Sequence, residues 1–154
     1  MHPEALTEQG KLIFSQLAQF SDFYLAGGTA LALQVGHRIS FDFELLSENA
    51  IEKTLFSKVK KIYAEFTVNP SVNNADELTI FIENTKLTFL AYPFPVLFDA
   101  AVWQGVRMLS VPELAATKAY TIGRRGSFRD YIDLYFVMAE GLAKLEEIIT
   151  LAER

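Results

Sequence analysis

Cysteine is absent from this chain, which excludes disulfides, Cys-based metal sites and a thiol nucleophile. No apolar run reaches the ~18 residues from which a membrane-crossing helix is read. The opening Met-His-Pro-Glu carries neither the basic nor the apolar region of an export signal. A cytoplasmic location without membrane attachment is therefore expected. Positive charge is also scarce: 14 Lys and Arg stand against 19 Asp and Glu, a net charge of −5. That balance argues against indiscriminate coating of nucleic acid but leaves room for a local basic patch. What the chain does have is apolar material, 51% of its 154 residues, with 13 Phe among them. This argues against disorder and predicts a single domain, residues 1–154, with a real core.

Residues 25–47 organise the rest. Extended residues ending at Leu25-Ala26 meet Gly27-Gly28, and Thr29 to Val35 is rich in helix formers, so the stretch reads as strand, tight turn and helix, stopped by Gly36. Backbone N–H groups at a glycine-lined helix start lack intrahelical acceptors and can face a phosphate. Downstream, Ser40 to Leu46 alternates. Period-two geometry puts Phe41, Phe43 and Leu45 on one face and Asp42 and Glu44 on the other. Two carboxylates pointing the same way suit a hard divalent cation such as Mg²⁺ (or Mn²⁺) that keeps open positions for phosphate and water.

Along the remaining chain, helical spacing predicts a first helix over 3–20, a strand over 23–26 and a second amphipathic helix over 51–64 whose lysines form a solvated face. A strand over 65–72 follows, then a hairpin of 78–83 with 86–92, and short extended pieces around Trp103-Gln104-Gly105. Ser110-Val111-Pro112-Glu113 is a capping-box pattern that opens a helix. On that helix Lys118 occupies a place in the apolar stripe, so it must meet an anion, either an internal ion pair or a bound phosphate. Gly123-Arg124-Arg125-Gly126 breaks the helix and Ser127 begins another, with Phe128, Tyr131, Ile132, Leu134, Tyr135 and Met138 as its buried face. Taken alone, Asp130 reads as a capping carboxylate, Asp133 as an exposed i,i+4 partner of Arg129, and His37 as a turn histidine bonded to backbone. The expected architecture is α/β (α+β): one mixed sheet with helices packed on it and a helical portion from about 110 to 154.

The combination of Gly27-Gly28-Thr29-x-Leu31 with His37-Arg38-x-Ser40-x-Asp42-Phe43-Glu44 resembles the start of the polymerase-β-like nucleotidyltransferases, and within them the AbiEii/AbiGii toxin family. Lys118, the Gly-Arg-Arg-Gly turn and Arg129-Asp130-x-x-Asp133-Leu134 resemble that family's C-terminal signature, so the likeness spans about residues 23–137. It implies transfer of a nucleotide from an NTP to an RNA (tRNA-like) or protein acceptor, as the toxin half of a toxin–antitoxin or phage-defence pair with a cognate antitoxin. It further implies that Asp42 and Glu44 hold the metal and that Gly27, Gly28 and Thr29 cradle phosphates. Lys118 would neutralise a phosphate, Arg124, Arg125 and Arg129 would orient triphosphate or acceptor, and Asp130 would belong to the catalytic set.

Two departures from the family pattern bear on activity. Glu44 stands where Asp is usual, and the strand from Lys86 to Tyr92, where a third carboxylate is common, offers Thr88 as its inward polar residue. A hydroxyl cannot replace a carboxylate's charge, so weak metal binding and slow transfer are expected, raised by Thr88→Asp. A nucleotide- or RNA-binding relic of the same fold, and a purely partner-binding domain, stay open as alternatives.

Overall fold

The computed structural model describes residues 1–122, 124 and 127–153. Its strands are β1 (Tyr24–Ala26), β2 (Phe43–Ser47), β3 (Val68–Asn73), β4 (Glu77–Ile82), β5 (Thr85–Ala91), β6 (Ala101–Trp103) and β7 (Val106–Met108). They form one mixed sheet in the order β3-β4-β5-β2-β1-β7-β6. The β1–β2 pair is antiparallel, whereas β2–β5 and β1–β7 are parallel. The parallel neighbours of the two central strands thus arrive by crossover, and β1 and β2 end up sealed on both edges.

Burial follows the alternation. Phe43 and Leu45 of β2 and Leu87 and Phe89 of β5 are buried in one apolar cluster, each worth ~1.5–3 kcal/mol relative to exposure. The edge strand β3 contains Pro70 and shifts register between Pro70 and Val72, which an edge tolerates because its free side needs no N–H. The β6–β7 hairpin turns at Gln104 and Gly105, both with positive φ, the backbone a two-residue loop requires.

Six α-helices are described: α1 (Glu8–Phe14), α2 (Gly27–Val35), α3 (Leu55–Ile62), α4 (Val111–Ile122), α5 (Phe128–Ala139) and α6 (Leu145–Ala152). The expected 3–20 helix is divided into α1 and two short 3-10 turns, Pro3–Ala5 and Leu17–Gln19, because Thr7 starts a new helix by accepting from the Gly10 N–H at 3.0 Å. Helix α2 begins at Gly27 itself and stops at Gly36, whose φ of 78° is the left-handed C-cap. Lys58, Lys60 and Lys61 of α3 are exposed, as expected, while Leu55 and Val59 face the core. Among the described residues no helix is long and apolar enough to cross a membrane.

The α5 face differs most from expectation. Phe128, Tyr131, Tyr135 and Met138 are exposed, Phe128 by 77%, and the buried residues are Asp130, Asp133 and Val137. Two carboxylates outcompete four large apolar side chains for the interior because the buried Lys118 and the half-buried Arg38 meet them there. The capping expectations change with this. Ser127 makes no side-chain cap bond, and Glu113 accepts from the Leu97 N–H at 2.5 Å and from the Ser110 hydroxyl at 3.1 Å.

Candidate functional site

Local geometry at the start of α2 follows from its glycines. A Cβ on Gly27, where φ is +63°, would collide with the Glu44 carboxylate, and one on Gly28 would collide with the Arg38 guanidinium. Two charged side chains of the following segment thus lie directly against the helix's first turn. A carboxylate there is favoured by the free N–H groups and the positive end of the helix dipole. Thr29, read from sequence as part of a phosphate cradle, is buried, and its hydroxyl donates to the Asp42 carbonyl and shares a second hydrogen bond with the Ser40 hydroxyl. That side chain braces the loop that carries Asp42.

A cleft of about 200 Å³ opens beside this turn, with Asp42 and Glu44 both on its wall. The two carboxylates therefore share one cavity. Asp42 lies one residue before β2 rather than within the strand, and Ser40 makes only an isolated bridge to Leu6. Because the chain has not yet entered strand geometry, Phe41 escapes the period-two pattern: it is 54% exposed and lines the same cleft as Asp42. Its expected place on the buried face with Phe43 and Leu45 is corrected accordingly.

Lys118 reaches this cleft from α4. Its ammonium donates to Asp130 at 2.6 Å and lies 3.0 Å from Asp133. The ion pair and the approach to the cleft, alternatives at the level of sequence, are both present. Asp130, expected as a capping carboxylate, is the ion-pair partner of Lys118.

Asp133 is the residue that sequence reasoning placed wrongly. It is fully buried and accepts from His37 Nε2 at 2.7 Å and from Arg38 Nε and Nη2 at 2.7 and 3.0 Å. Burial pushes its carboxyl toward the neutral form. The hydrogen bonds from His37 and Arg38 and the charges of Lys118 and Arg38 override this, holding it well below the ordinary carboxylate range. His37 is correspondingly no backbone-bonded turn residue. The signal that could have found this arrangement was the pairing of His37-Arg38 with a carboxylate on the helix after Lys118, three residues whose sequence separation hides their contact.

Lys86 and Arg129 line the same cleft as the carboxylates. Neither forms an ion pair among the described residues. Lys86 and Asp42 each immediately precede the register pair Phe43↔Leu87 of the parallel strands β5 and β2. Thr88 is the register partner of Glu44, as expected of that strand, but it is buried and shares a 3.0 Å hydrogen bond with Thr79. The cleft residue from β5 is thus Lys86. Arg124 packs over the Tyr120 ring at 3.9 Å and is not among the residues lining the cleft. Arg125, Gly123 and Gly126 lie outside the described residues.

For a divalent cation the donor set is the Asp42–Glu44 pair. Among the described residues there is no group of three or more His, Asp or Glu side chains that could hold a metal. Neither carboxylate has a cationic partner within ion-pair distance among the described residues, so a divalent ion would relieve their mutual repulsion. Two protein carboxylates completed by substrate oxygens and water fit Mg²⁺. A second cavity, of about 90 Å³ between Tyr92, Phe94, Tyr120 and Leu151, is mainly apolar, and its Glu113 carboxylate is already engaged.

No protein-family model matches the chain. It is similar to the uncharacterized protein aq_aa25 of Aquifex aeolicus (strain VF5), with 32% identity over 134 residues that cover 84% of this chain and 65% of that protein. The chain therefore spans about two thirds of that relative's length. Among solved structures it resembles JHP933 from Helicobacter pylori, with a TM-score of 0.70, 20% identity and coverage of 92% of this chain and 72% of that one. It also resembles ANT(2")-Ia, solved with adenylyl-2"-tobramycin, with a TM-score of 0.64, 16% identity and coverage of 96% of both chains. For the Megavirus polyadenylate synthase the TM-score is 0.60 at 12% identity, over 88% of this chain and 32% of that one. The mixed seven-stranded sheet with its helices is thus a nucleotidyltransferase fold.

Proposed function

We propose that this chain is a nucleotidyltransferase that moves a nucleotide from an NTP to an RNA or protein acceptor, as a single catalytic domain of the AbiEii/AbiGii type. The observation that carries the reading is the convergence of Asp42, Glu44 and Lys118 on one cleft against the first turn of α2. An NTP is polyanionic, and the same cleft supplies the cations Lys86, Lys118 and Arg129. In the transfer, an acceptor oxygen forms a bond to the α-phosphorus while the bond to pyrophosphate breaks and the acceptor's proton leaves to solvent. The cations position the triphosphate and offset charge on the departing pyrophosphate. Asp42 and Glu44 would hold Mg²⁺ or Mn²⁺, which supplies electrostatic stabilisation of the phosphates when bound. Arg38, His37 and Asp133 act through position, fixing the loop between α2 and Asp42 against α5.

The test is transfer of label from each NTP to a tRNA pool or to protein, with and without Mg²⁺ or Mn²⁺, alongside Asp42→Ala. Label that appears only with metal and is lost in Asp42→Ala supports the reading. Robust transfer insensitive to Asp42→Ala sinks it. A second reading, a nucleotide- or RNA-binding relic, is favoured by Lys86, a cation on the strand where a further carboxylate was sought. NTP binding without any transfer would support that one. The toxin role and a cognate antitoxin are part of the family proposal, and co-expression with the neighbouring gene product in a growth assay would test them.

A further inference from the structure

We propose that Phe41 is the platform on which the nucleobase of the bound NTP stacks, an inference that rests on nucleotide binding in the Asp42 cleft. Among the described residues Phe41 is the one aromatic side chain on the wall of that cleft. It is 54% exposed, although Ser40 before it and Phe43 two residues on are buried. No other ring of the described residues contacts it. Its backbone lies between Ser40, which bridges to Leu6, and Asp42, the residue before β2, and the Thr29 hydroxyl is hydrogen-bonded to the Ser40 hydroxyl and the Asp42 carbonyl on either side of it. The ring is therefore presented by a braced segment, next to the carboxylate that would sit nearest the triphosphate.

The rest of the lining is chemically unlike it. Arg38, Asp42, Glu44, Lys86, Lys118, Arg129 and Asp130 are all charged and suit phosphates and a cation. A flat apolar ring beside them suits the other end of a nucleotide, the base, whose π-face stacks on aromatic side chains whatever its sequence identity. The charged wall and the ring together match a molecule that is polyanionic at one end and aromatic at the other. Stacking of this kind tolerates all four bases, so Phe41 contributes affinity to each NTP and little discrimination.

The experiment measures dissociation constants for ATP, GTP, CTP, UTP and inorganic tripolyphosphate with the wild-type chain, Phe41→Ala and Phe41→Trp. Phe41→Ala is expected to weaken every NTP by roughly 5- to 150-fold, the range of base–aromatic stacking. Tripolyphosphate binding should stay within about twofold, and Phe41→Trp should restore the NTPs. Equal loss of NTP and tripolyphosphate would overturn the proposal by making Phe41 a structural support of the cleft. Unchanged NTP affinity in Phe41→Ala would also overturn it, and if Lys118→Ala still weakens NTP in the same assay, the nucleotide site stands without the platform. A wild-type chain that binds tripolyphosphate and no NTP better than that would overturn both.

Discussion

Asp133 accepts two hydrogen bonds from a single guanidinium, that of Arg38, at 2.7 and 3.0 Å, across 95 residues of sequence. This bidentate pair ties the loop after α2 to α5, and His37 and Lys118 close on the same carboxylate. Removing one partner of a buried ion network leaves the others desolvated and unpaired, a cost of ~3–5 kcal/mol. Asp133→Ala should therefore lower the unfolding free energy by about that much in urea denaturation. Arg38→Ala, which leaves the carboxylate with two donors, should cost less. Loss below ~1 kcal/mol for Asp133→Ala would show that the network carries no more than a surface pair.

The same carboxylate sets a pH dependence. Its folded-state value is depressed well below the unfolded one, so its contribution to stability is fully present above the unfolded value of about 3.9. That contribution declines as pH falls below this value, toward the folded one. Acid titration of stability should show this loss in the wild type, and Asp133→Asn should flatten the corresponding part of the curve. Identical curves would place the acid sensitivity elsewhere.

Much of this was legible in the sequence, and the parts that were not share a cause. The β2 pattern, the glycine start of α2 and the inward Lys118 each depend on local spacing and were readable. On α5, Phe128, Tyr131, Tyr135 and Met138 form a longer apolar stripe than the residues that are buried. Local periodicity alone therefore chose the wrong face. What reverses the choice is positive charge from two distant segments, the buried Lys118 and the half-buried Arg38. Phe41 and Lys86 were missed for a related reason. Where β2 begins, and which β5 residue faces the cleft, depend on strand pairing rather than on either segment's own pattern.

Gly27 and Gly141 separate backbone strain from site geometry. Both have positive φ, +63° and +68°, but a Cβ at Gly141 meets nothing within 4 Å, whereas at Gly27 it meets the Glu44 carboxylate. Gly141→Ala should cost only the left-handed penalty, ~1–2 kcal/mol. Gly27→Ala should cost more in thermal denaturation and should also displace Glu44, weakening any Mn²⁺-dependent thermal shift. Equal effects of the two substitutions on stability would mean that Glu44 moves aside freely.

The final prediction concerns which β5 residue governs metal affinity. Sequence alone suggested that Thr88→Asp would restore a missing carboxylate. Thr88 is buried, bonded to Thr79 and paired in register with Glu44, so a charge there would be desolvated beside another carboxylate, and desolvation raises its pKa. Lys86 instead lines the cleft with Asp42 and stays partly exposed. Replacing its ammonium by a carboxylate changes the local charge by two units beside the Asp42–Glu44 pair, in the sense that favours a divalent cation. Lys86→Asp should therefore tighten Mn²⁺ binding by about tenfold, the equivalent of ~1.4 kcal/mol, and Thr88→Asp should mainly destabilise the chain. Lys86→Ala should weaken tripolyphosphate, with a reduced dependence on salt, because one phosphate-facing charge is gone. Calorimetric titration of the three variants with Mn²⁺ and tripolyphosphate decides the point. Tighter Mn²⁺ binding by Thr88→Asp than by Lys86→Asp would show that the metal sits deeper against the sheet than the cleft wall formed by Asp42 and Lys86.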